Sequence, residues 1–376
     1  MKSSLNSVAK PVDLAVVGGG LAGCAMAWQA IRRGLAVVMI DDGNRASSSR
    51  VAAGLVTPIT GGRLAMTWRY TEYYRAAEDL YRYVERETGS TFWTVAPALR
   101  LFSSSEERDL FESRWAASSQ IGLDSSIQTQ QLSSDELEQY AAPFGGFLMS
   151  PAARLDTVVY LQATQRMLEQ QGRFYSCGLD LDRDLIVTPP CSAGMRFEFP
   201  TLGVRARQVC LAQGVAALSS RWFALLPLHP ARGDILRVAS DPRAIDHIVH
   251  RDAWIVPLGD HQHLLGATYS RDWQSCELDS TLAIASREDL LGRWKAFFQE
   301  PVPGVKVLEH RAAVRPASYD RHPLIGTHPE YPNLGCLNGL GSKGSLLAPR
   351  LAEVLLDTLD RSTPIDPALR YDRRRG

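Results

Sequence analysis

The feature that most restricts the fold is a glycine-rich turn between an apolar strand and a helix. The strand is predicted over 14–17 and the helix over 24–33, and the turn carries Gly18, Gly20 and Gly23. In a βαβ unit that binds a dinucleotide, the first glycine permits a tight turn and the second lets the backbone approach a pyrophosphate. The third lets helix and strand pack closely. The N–H groups at the helix start favour phosphate, so the turn, including Leu21 and Ala22, is predicted to bind a cofactor.

A second apolar strand, predicted over 35–40, ends at two consecutive acids, Asp41 and Asp42. An acid about 20 residues after the first glycine is the usual partner of a ribose hydroxyl. We prefer Asp41 because it follows the strand immediately, and we expect Asp42 to be a solvated neighbour. A carboxylate here repels a 2′-phosphate, which disfavours NADP. The motif by itself leaves both NAD and FAD open.

Charge and residue spacing argue against several other classes of function. The 41 basic residues balance the 41 acidic ones, which makes nucleic acid an unlikely partner. The uncharged stretch 14–31 is interrupted by four glycines, so a strand, turn and helix explain it better than a membrane span. The N-terminus lacks the apolar segment of a signal peptide, which predicts a cytoplasmic protein. No zinc-type Cys/His spacing occurs, so no metal is predicted.

Later segments resemble the D-amino-acid-oxidase-type flavoproteins, a family that includes glycine oxidase, sarcosine oxidase and D-amino-acid dehydrogenase. The similar segments are 47–57 (SSSRVAAGLVT), 208–214 (QVCLAQG), 227–237 (PLHPARGDILR), 254–268 (WIVPLGDHQHLLGAT) and 311–349, which contains VRP, DRHPLIG and GLGSKG followed by LAP. The resemblance extends from about residue 13 to residue 359. It implies that the dinucleotide is FAD.

The resemblance also implies which residues hold FAD. In the family, the first segment wraps the pyrophosphate and ribityl chain, and the glycine loop before the last helix approaches the flavin ring. The matching positions are Ser49, Arg50, Ala53, Gly54, Leu55, Gly214, Gly341, Ser342, Lys343, Gly344 and Ser345. Some relatives attach FAD through a cysteine, and this chain has Ala313 at that position. We therefore expect non-covalent FAD.

The expected chemistry is hydride transfer to the flavin from a carbon beside nitrogen, followed by imine hydrolysis. Arg315 matches the family's carboxylate-binding arginine, and arginine suits that task because its fork binds a carboxylate with two hydrogen bonds. Lys343 either stabilises negative charge on the reduced ring, contacts substrate carboxylate or oxygen, or is a solvated loop lysine. Ser342 is expected to bond the flavin carbonyl or the substrate. Arg63 and Trp254 are further candidates for the substrate pocket.

Two segments leave the substrate open. The GLGSKG loop and the TPITGGR run at 57–63 depart from glycine oxidase, and the loop is more similar to the FAD domain of the bifunctional tRNA wobble-uridine modification enzyme. That domain removes a carboxymethyl group from an amine. The resemblance thus leaves three functions: oxidation of a small carboxylate-bearing amine or amino acid, which we prefer, the same chemistry on a modified tRNA base, or FAD binding without turnover.

The predicted fold is α/β, with a Rossmann-like FAD-binding domain interleaved with a mixed-sheet α+β substrate domain. We expect the FAD-binding domain at 1–85, 148–214 and 310–376, and the substrate domain at 86–147 and 215–309. The electron acceptor is expected to be oxygen or a quinone. The oligomeric state is left open.

Overall fold

The computed structural model describes residues 10–116, 126–189, 197–223, 226–240, 245–300 and 305–373. The described helices are α1 (Leu21–Arg32), α2 (Ser48–Val51), α3 (Tyr70–Thr88), α4 (Ser105–Phe111), α5 (Thr157–Gln170), α6 (Leu181–Asp184), α7 (Thr281–Ala296) and α8 (Gly344–Arg361). The strands of the first half are β1 (Lys10–Val17), β2 (Val37–Asp41), β3 (Leu55–Val56), β4 (Ile59–Thr60), β5 (Ala65–Met66), β6 (Trp93–Val95), β7 (Ala98–Leu101), β8 (Gln128–Gln131), β9 (Gly146–Ser150), β10 (Ala153–Leu155) and β11 (Phe174–Ser176). Those of the second half are β12 (Ile186–Val187), β13 (Phe197–Phe199), β14 (Val204–Leu211), β15 (Ala231–Ala239), β16 (Ile248–His250), β17 (Trp254–Gly259), β18 (Gln262–Gly266), β19 (Lys306–Arg315), β20 (Leu324–Thr327) and β21 (Leu334–Asn338).

The first sheet is built on five parallel strands in the order β11-β2-β1-β14-β21. The strands β13, β12 and β20 extend it by antiparallel pairing. Alternate residues of β1 enter two different cores. Leu14 and Val16 pack with α1, α3, α5 and α8, whereas Ala15 and Val17 pack on the opposite face with β13 and β14. Burial on both faces explains why β1 is a continuous apolar run instead of an alternating one.

The helices on this sheet have local sequence signals. The buried positions of α3 follow a helical repeat that includes Tyr70, Tyr73, Ala77 and Leu80. α5 starts where the Asp156 side chain accepts a hydrogen bond from the Val159 N–H at 3.2 Å. These signals account for the positions of α3 and α5.

The second sheet has the order β19-β15-β18-β17-β16-β7-β9-β8 in the described chain. One face packs α7 through Leu290 and Trp294. The other face contacts the end of α2 through Val51 and the segment after it through Ala53. A small sheet, β3-β10-β6, lies between these parts of the chain. The two main sheets therefore meet along the chain segment that follows α2.

This architecture confirms the predicted α/β class and the mixed second sheet. Two predicted domain boundaries fall inside strands, since β9 pairs with β7, and β19 pairs with β15 along its whole length. A strand cannot be divided between sheets, so the structure assigns all of β9 and β19 to the second sheet. In the described ranges no helix is both long and apolar enough to cross a bilayer. The uncharged stretch 14–31 forms part of β1, the turn and most of α1, as predicted.

Two glycines in helices offer a test of how closely α1 must approach β1. A Cβ atom on Gly23 would overlap the Gly18 carbonyl oxygen, whereas a Cβ atom on Gly292 in α7 would meet nothing within 4 Å. We expect Gly23→Ala to reduce the free energy of unfolding by about 1–3 kcal/mol through overpacking. Gly292→Ala should raise it by about 0.5–1 kcal/mol, because alanine has the higher helix propensity. Urea denaturation of both variants measures the two changes, and equal changes would contradict this interpretation.

Candidate cofactor and substrate site

A cleft lies where the two sheets meet. Its walls come from the start of α1, from α2 and the segment after it, from the end of β14, and from β15, β17 and β19 of the second sheet. The glycine loop before α8 completes it. The predicted residues that line it are Gly20, Leu21, Ala22, Ser49, Ala53, Gly54, Leu55, Gly214, Trp254, Arg315, Gly341, Ser342, Gly344 and Ser345. The topology thus brings together residues that are more than 300 positions apart in sequence.

The electrostatics of the cleft favour an anion. The N-termini of α1 and α8 both lie at its wall, and neither helix has an acidic residue in its first turn. No Asp or Glu occurs among the described residues that line the cleft, and Arg315 is the only residue there with a charged side chain. Helix N-termini stabilise phosphate through their free N–H groups and partial positive charge. The lining therefore fits a dinucleotide pyrophosphate.

The glycine turn is held by contacts to its neighbours in the first sheet. Gly18 has φ +105° and donates its N–H to the Ile40 carbonyl at 2.8 Å. The Gly19 N–H donates to Asp41 Oδ2 at 2.5 Å, and the Leu21 N–H donates to Ser49 Oγ at 3.0 Å. Ser49 therefore joins the segment after β2 to the start of α1. Gly18 and Gly23 shape the turn from behind the wall of the cleft.

Asp41 and Asp42 have different surroundings. Asp41 is half-buried, and its Oδ1 accepts a second hydrogen bond from the Gly43 N–H at 2.9 Å. Asp42 is exposed and accepts one from the Asn44 N–H, also at 2.9 Å. The structure places Asp41 against the glycine turn, beyond the described wall of the cleft. Its ribose contact stays a prediction.

Arg315 ends β19, and its guanidinium lies over Gly233 of β15, where a side chain would overlap it. Nη1 and Nη2 both donate to the Thr268 carbonyl at 3.3 Å, and Nη1 also lies 3.4 Å from the Arg232 carbonyl. Burial lowers the pKa of Arg315, while the charges of Tyr269 and Asp234 raise it. No carboxylate forms an ion pair with Arg315 in the described chain. The guanidinium thus presents an uncompensated positive charge at the cleft.

Ser342 and Lys343 are adjacent in the sequence, but their side chains point in different directions. Ser342 is exposed and lines the cleft. Lys343 does not line it, and its Nζ donates to Thr67 Oγ1 at 3.2 Å. Burial, together with the charge of Arg321, lowers the pKa of Lys343. Lys343 is therefore not a solvated loop lysine, and its side chain joins the glycine loop to the residue after β5.

The remaining candidates are divided between the cleft and the surface. The Trp254 ring packs on Gly266 of β18 and forms part of the wall. Arg63 is exposed in the turn between β4 and β5, outside the cleft, and its carbonyl accepts a hydrogen bond from Arg114 at 2.7 Å. Arg50 is half-buried behind the wall and reaches Gln165 Oε1 at 3.5 Å. The structure thus places Trp254 and Arg315 in the wall of the same cleft and leaves Arg63 outside it.

Comparison with known proteins identifies the family. The family model described as FAD dependent oxidoreductase matches residues 13–358. The chain belongs to this family. Membership confirms the predicted FAD cofactor, the oxidoreductase class and the predicted family resemblance. It also accounts for a cleft that suits an anionic dinucleotide.

Individual relatives of this FAD dependent oxidoreductase are distant. The bifunctional protein of tRNA 5-methylaminomethyl-2-thiouridine biosynthesis, MnmC, from a Caulobacter species is 29% identical over 92% of the chain. The chain spans 54% of that relative's length. Glycine oxidase of Bacillus licheniformis is 23% identical over 93% of both proteins. The crystal structure of glycine oxidase from Geobacillus kaustophilus superposes with a TM-score of 0.78 at 20% identity, over 97% of this chain and 100% of that one. This likeness confirms the fold.

The sequence alone missed Asn338, a polar residue of the cleft wall. It ends β21, lies beside Gly214 at the carboxyl edge of the first sheet, and donates to the Gly214 carbonyl at 2.8 Å. A ligand crevice in an open α/β sheet lies outside this edge. A polar residue that ends an apolar parallel strand is therefore a signal that could have found Asn338.

The two acids after β2 provide a test of cofactor retention. Asp41→Ala removes the acceptor for the Gly19 N–H and the predicted ribose partner, a loss of about 1.5–3 kcal/mol for a charge-assisted hydrogen bond. FAD should therefore bind roughly tenfold to a hundredfold more weakly. Asp42→Ala is the matched control and should bind FAD like the wild type. Titration of the apoprotein with FAD measures both affinities, and equal affinities for the two variants would remove Asp41 from the site.

The attachment of FAD can be tested by denaturation. Ala313 lies in the wall of the cleft, and no cysteine is among the described residues that line it. A covalent bond to flavin needs a nucleophilic side chain within reach, so we expect acid to release all of the FAD. After precipitation of the protein, the flavin absorbance should be in the supernatant. Flavin that stays with the washed precipitate would show covalent attachment.

Proposed function

We propose that this protein oxidises the C–N bond of a small amine or amino acid that carries a carboxylate. Arg315 is the observation that carries this proposal, because it is a charged side chain at the cleft without an acidic partner in the described chain. Buried charges are normally paired, since an unpaired charge loses its hydration without compensation. A substrate carboxylate supplies the missing partner. Arginine holds it with two parallel hydrogen bonds.

In the proposed reaction, bound FAD supplies the hydride acceptor. The hydride leaves the substrate carbon beside nitrogen, the nitrogen lone pair forms a C=N bond, and water hydrolyses that imine to a carbonyl compound and an amine or ammonia. Arg315 orients the substrate by its carboxylate, while Trp254 and Ile235 form an apolar part of the wall that limits access of water. Oxygen or a quinone would accept the electrons from the reduced cofactor.

The proposal assigns FAD binding and substrate binding to different parts of the fold. The first sheet, the segment after α2 and the loop before α8 form the FAD-binding part, with Gly20, Ser49 and Gly344 at its wall. The second sheet forms the substrate part, with Trp254 and Arg315. The position of Ser342 at the cleft supports a contact to flavin or substrate. Lys343 affects the site indirectly, because its hydrogen bond to Thr67 holds the loop that carries Ser342 and Lys343.

A modified tRNA base is the second candidate substrate. The relative at 29% identity supports it, because its name places it in tRNA thiouridine biosynthesis. A carboxymethylamino group on a base offers the same two features, a carboxylate for Arg315 and a C–H bond beside nitrogen. A panel that contains free amino acids, N-carboxymethyl amines and the carboxymethylaminomethyl nucleoside distinguishes the two substrates.

The test of the function is anaerobic reduction of the bound flavin by this panel, followed by variants of Arg315. Arg315→Ala should cost about 2–5 kcal/mol in kcat/KM for the best substrate, because the substrate anion then lacks a partner. Arg315→Lys should recover only part of the loss, since a point charge does not reproduce the fork.

FAD content serves as the control and should be equal in all three proteins. Equal reduction rates at sub-saturating substrate would contradict the carboxylate role of Arg315. If FAD binds but no member of the panel reduces it, the protein binds FAD without this turnover.

A further inference from the structure

A buried polar cluster lies directly behind Arg315, on β15, on β19 and on the segment that follows β18. It consists of Arg232, Asp234, Thr268 and His310, which we call the Asp234 cluster. The side chains of Arg232 and Asp234 are each only 1% exposed. None of the four residues lines the cleft. The cluster therefore affects the site only through the groups that it holds in place.

The carboxylate of Asp234 is surrounded by donors. Arg232 binds it with two hydrogen bonds of 3.1 and 2.9 Å, and His310 Nε2 lies 3.0 Å from Oδ1. Burial raises the pKa of Asp234, but the hydrogen bonds from His310, Arg232 and Thr268 and the charge of Arg232 outweigh it and lower that pKa to about 2. Asp234 is thus ionised at neutral pH. Its charge is neutralised by Arg232, so the charge of Arg315 stays available.

Thr268 is joined to Asp234 by three hydrogen bonds. Its Oγ1 donates to Asp234 Oδ2 at 3.1 Å and accepts from the Asp234 N–H at 2.9 Å. Its own N–H donates to the Asp234 carbonyl at 3.2 Å. These bonds fix the side chain of Thr268 and the peptide plane that precedes it. The Thr268 carbonyl lies in the next peptide plane, and beyond it Ser270 exchanges backbone hydrogen bonds of 2.9 and 3.0 Å with Arg232. The carbonyl is therefore held from both sides.

That carbonyl is the acceptor for Arg315. Both Nη atoms donate to it at 3.3 Å, so it occupies the end of the guanidinium between them. Nη1 also donates to the Arg232 carbonyl at 3.4 Å, so the edge formed by Nε and Nη2 is left for a bidentate carboxylate. The orientation of this free edge depends on where the Thr268 carbonyl points.

We propose that Thr268, anchored by Asp234, is a positioning residue that sets the direction in which Arg315 presents its free edge to a substrate carboxylate. This inference rests on the proposed function, because it assigns Arg315 to the substrate. The Thr268 hydroxyl itself touches neither substrate nor cofactor. Its loss should weaken carboxylate binding and leave the rate of hydride transfer from bound substrate nearly unchanged.

The experiment uses the FAD-loaded protein and acetate as the probe. Acetate binding is followed by the change in the flavin absorbance spectrum, which needs no turnover. Thr268→Val should raise the Kd for acetate and the KM for the best carboxylate substrate about tenfold, with kcat within about twofold of wild type. Thr268→Ser keeps the hydroxyl and should bind acetate like the wild type.

Two further variants serve as controls. Thr88→Val removes a threonine hydroxyl of similar burial that donates to the Val84 carbonyl at 2.7 Å at the end of α3, away from the cleft, and should leave the Kd for acetate unchanged. Arg315→Ala separates the two hypotheses. If it weakens acetate binding and Thr268→Val does not, the positioning role is wrong and the proposed function stands. If Arg315→Ala binds acetate like the wild type, the proposed function itself fails.

Thr268→Ala tests whether Thr268 is needed for the stability of the protein. Unlike Thr268→Val, it removes the hydroxyl without adding an apolar methyl group in its place. Loss of FAD or of folded protein in both Thr268→Val and Thr268→Ala would overturn the proposal, because Thr268 would then support the fold as a whole. Equal weakening in Thr268→Ser and Thr268→Val would also overturn it, since the hydroxyl would not be responsible.

Discussion

The close approach of chain segments at a few glycines determines where the cleft lies. Gly23 lets α1 contact the turn at Gly18, and Gly54 brings the segment after α2 against the Leu155 carbonyl of β10. At Gly344 the start of α8 packs on the Leu21 side chain of α1, and an added Cβ atom would lie 3.0 Å from Leu21 Cδ1. Because glycine adds no side chain at these contacts, two helix N-termini reach the same wall, where they favour an anionic cofactor.

The charges around the cleft are arranged in two layers. The inner layer consists of helix N-termini and Arg315, which favour anions. The acids near the site lie behind it and are already engaged, Asp41 with backbone N–H groups and Asp234 with Arg232. A free carboxylate at the wall would repel both a pyrophosphate and a substrate anion. Keeping the acids in the outer layer lets them fix the geometry without reducing the positive potential of the cleft.

The first βαβ unit could be predicted because its signals are local. The apolar run of β1, the glycine turn and Asp41 each lie within a few residues of the element they define. The family resemblance extended this to the cleft-lining loops and to Arg315.

The Asp234 cluster could not be found in this way, because Thr268 and Asp234 meet only through the register of neighbouring strands, and sequence spacing does not define that register. The direction of the Lys343 side chain depends in the same way on Thr67, far from it in the sequence. Arg63 had the right residue type but lies on an exposed turn. Residue type and motif position therefore located the wall of the site, while the contacts behind the wall required the fold.

The residues of the cleft wall also affect the deprotonation of the substrate amine, which must precede hydride transfer. An amino acid in neutral solution carries an ammonium group, and the nitrogen lone pair is free to form the C=N bond only after that group has lost a proton. No Asp, Glu or His is among the described residues that line the cleft, so the lining supplies no carboxylate or imidazole base. Under the proposed function, the ammonium group would lose its proton to water, and the positive charge of Arg315 would favour that loss, because a nearby like charge lowers the pKa of an ammonium group. Under the proposed function, the guanidinium that holds the carboxylate thus also favours the neutral amine that the reaction needs.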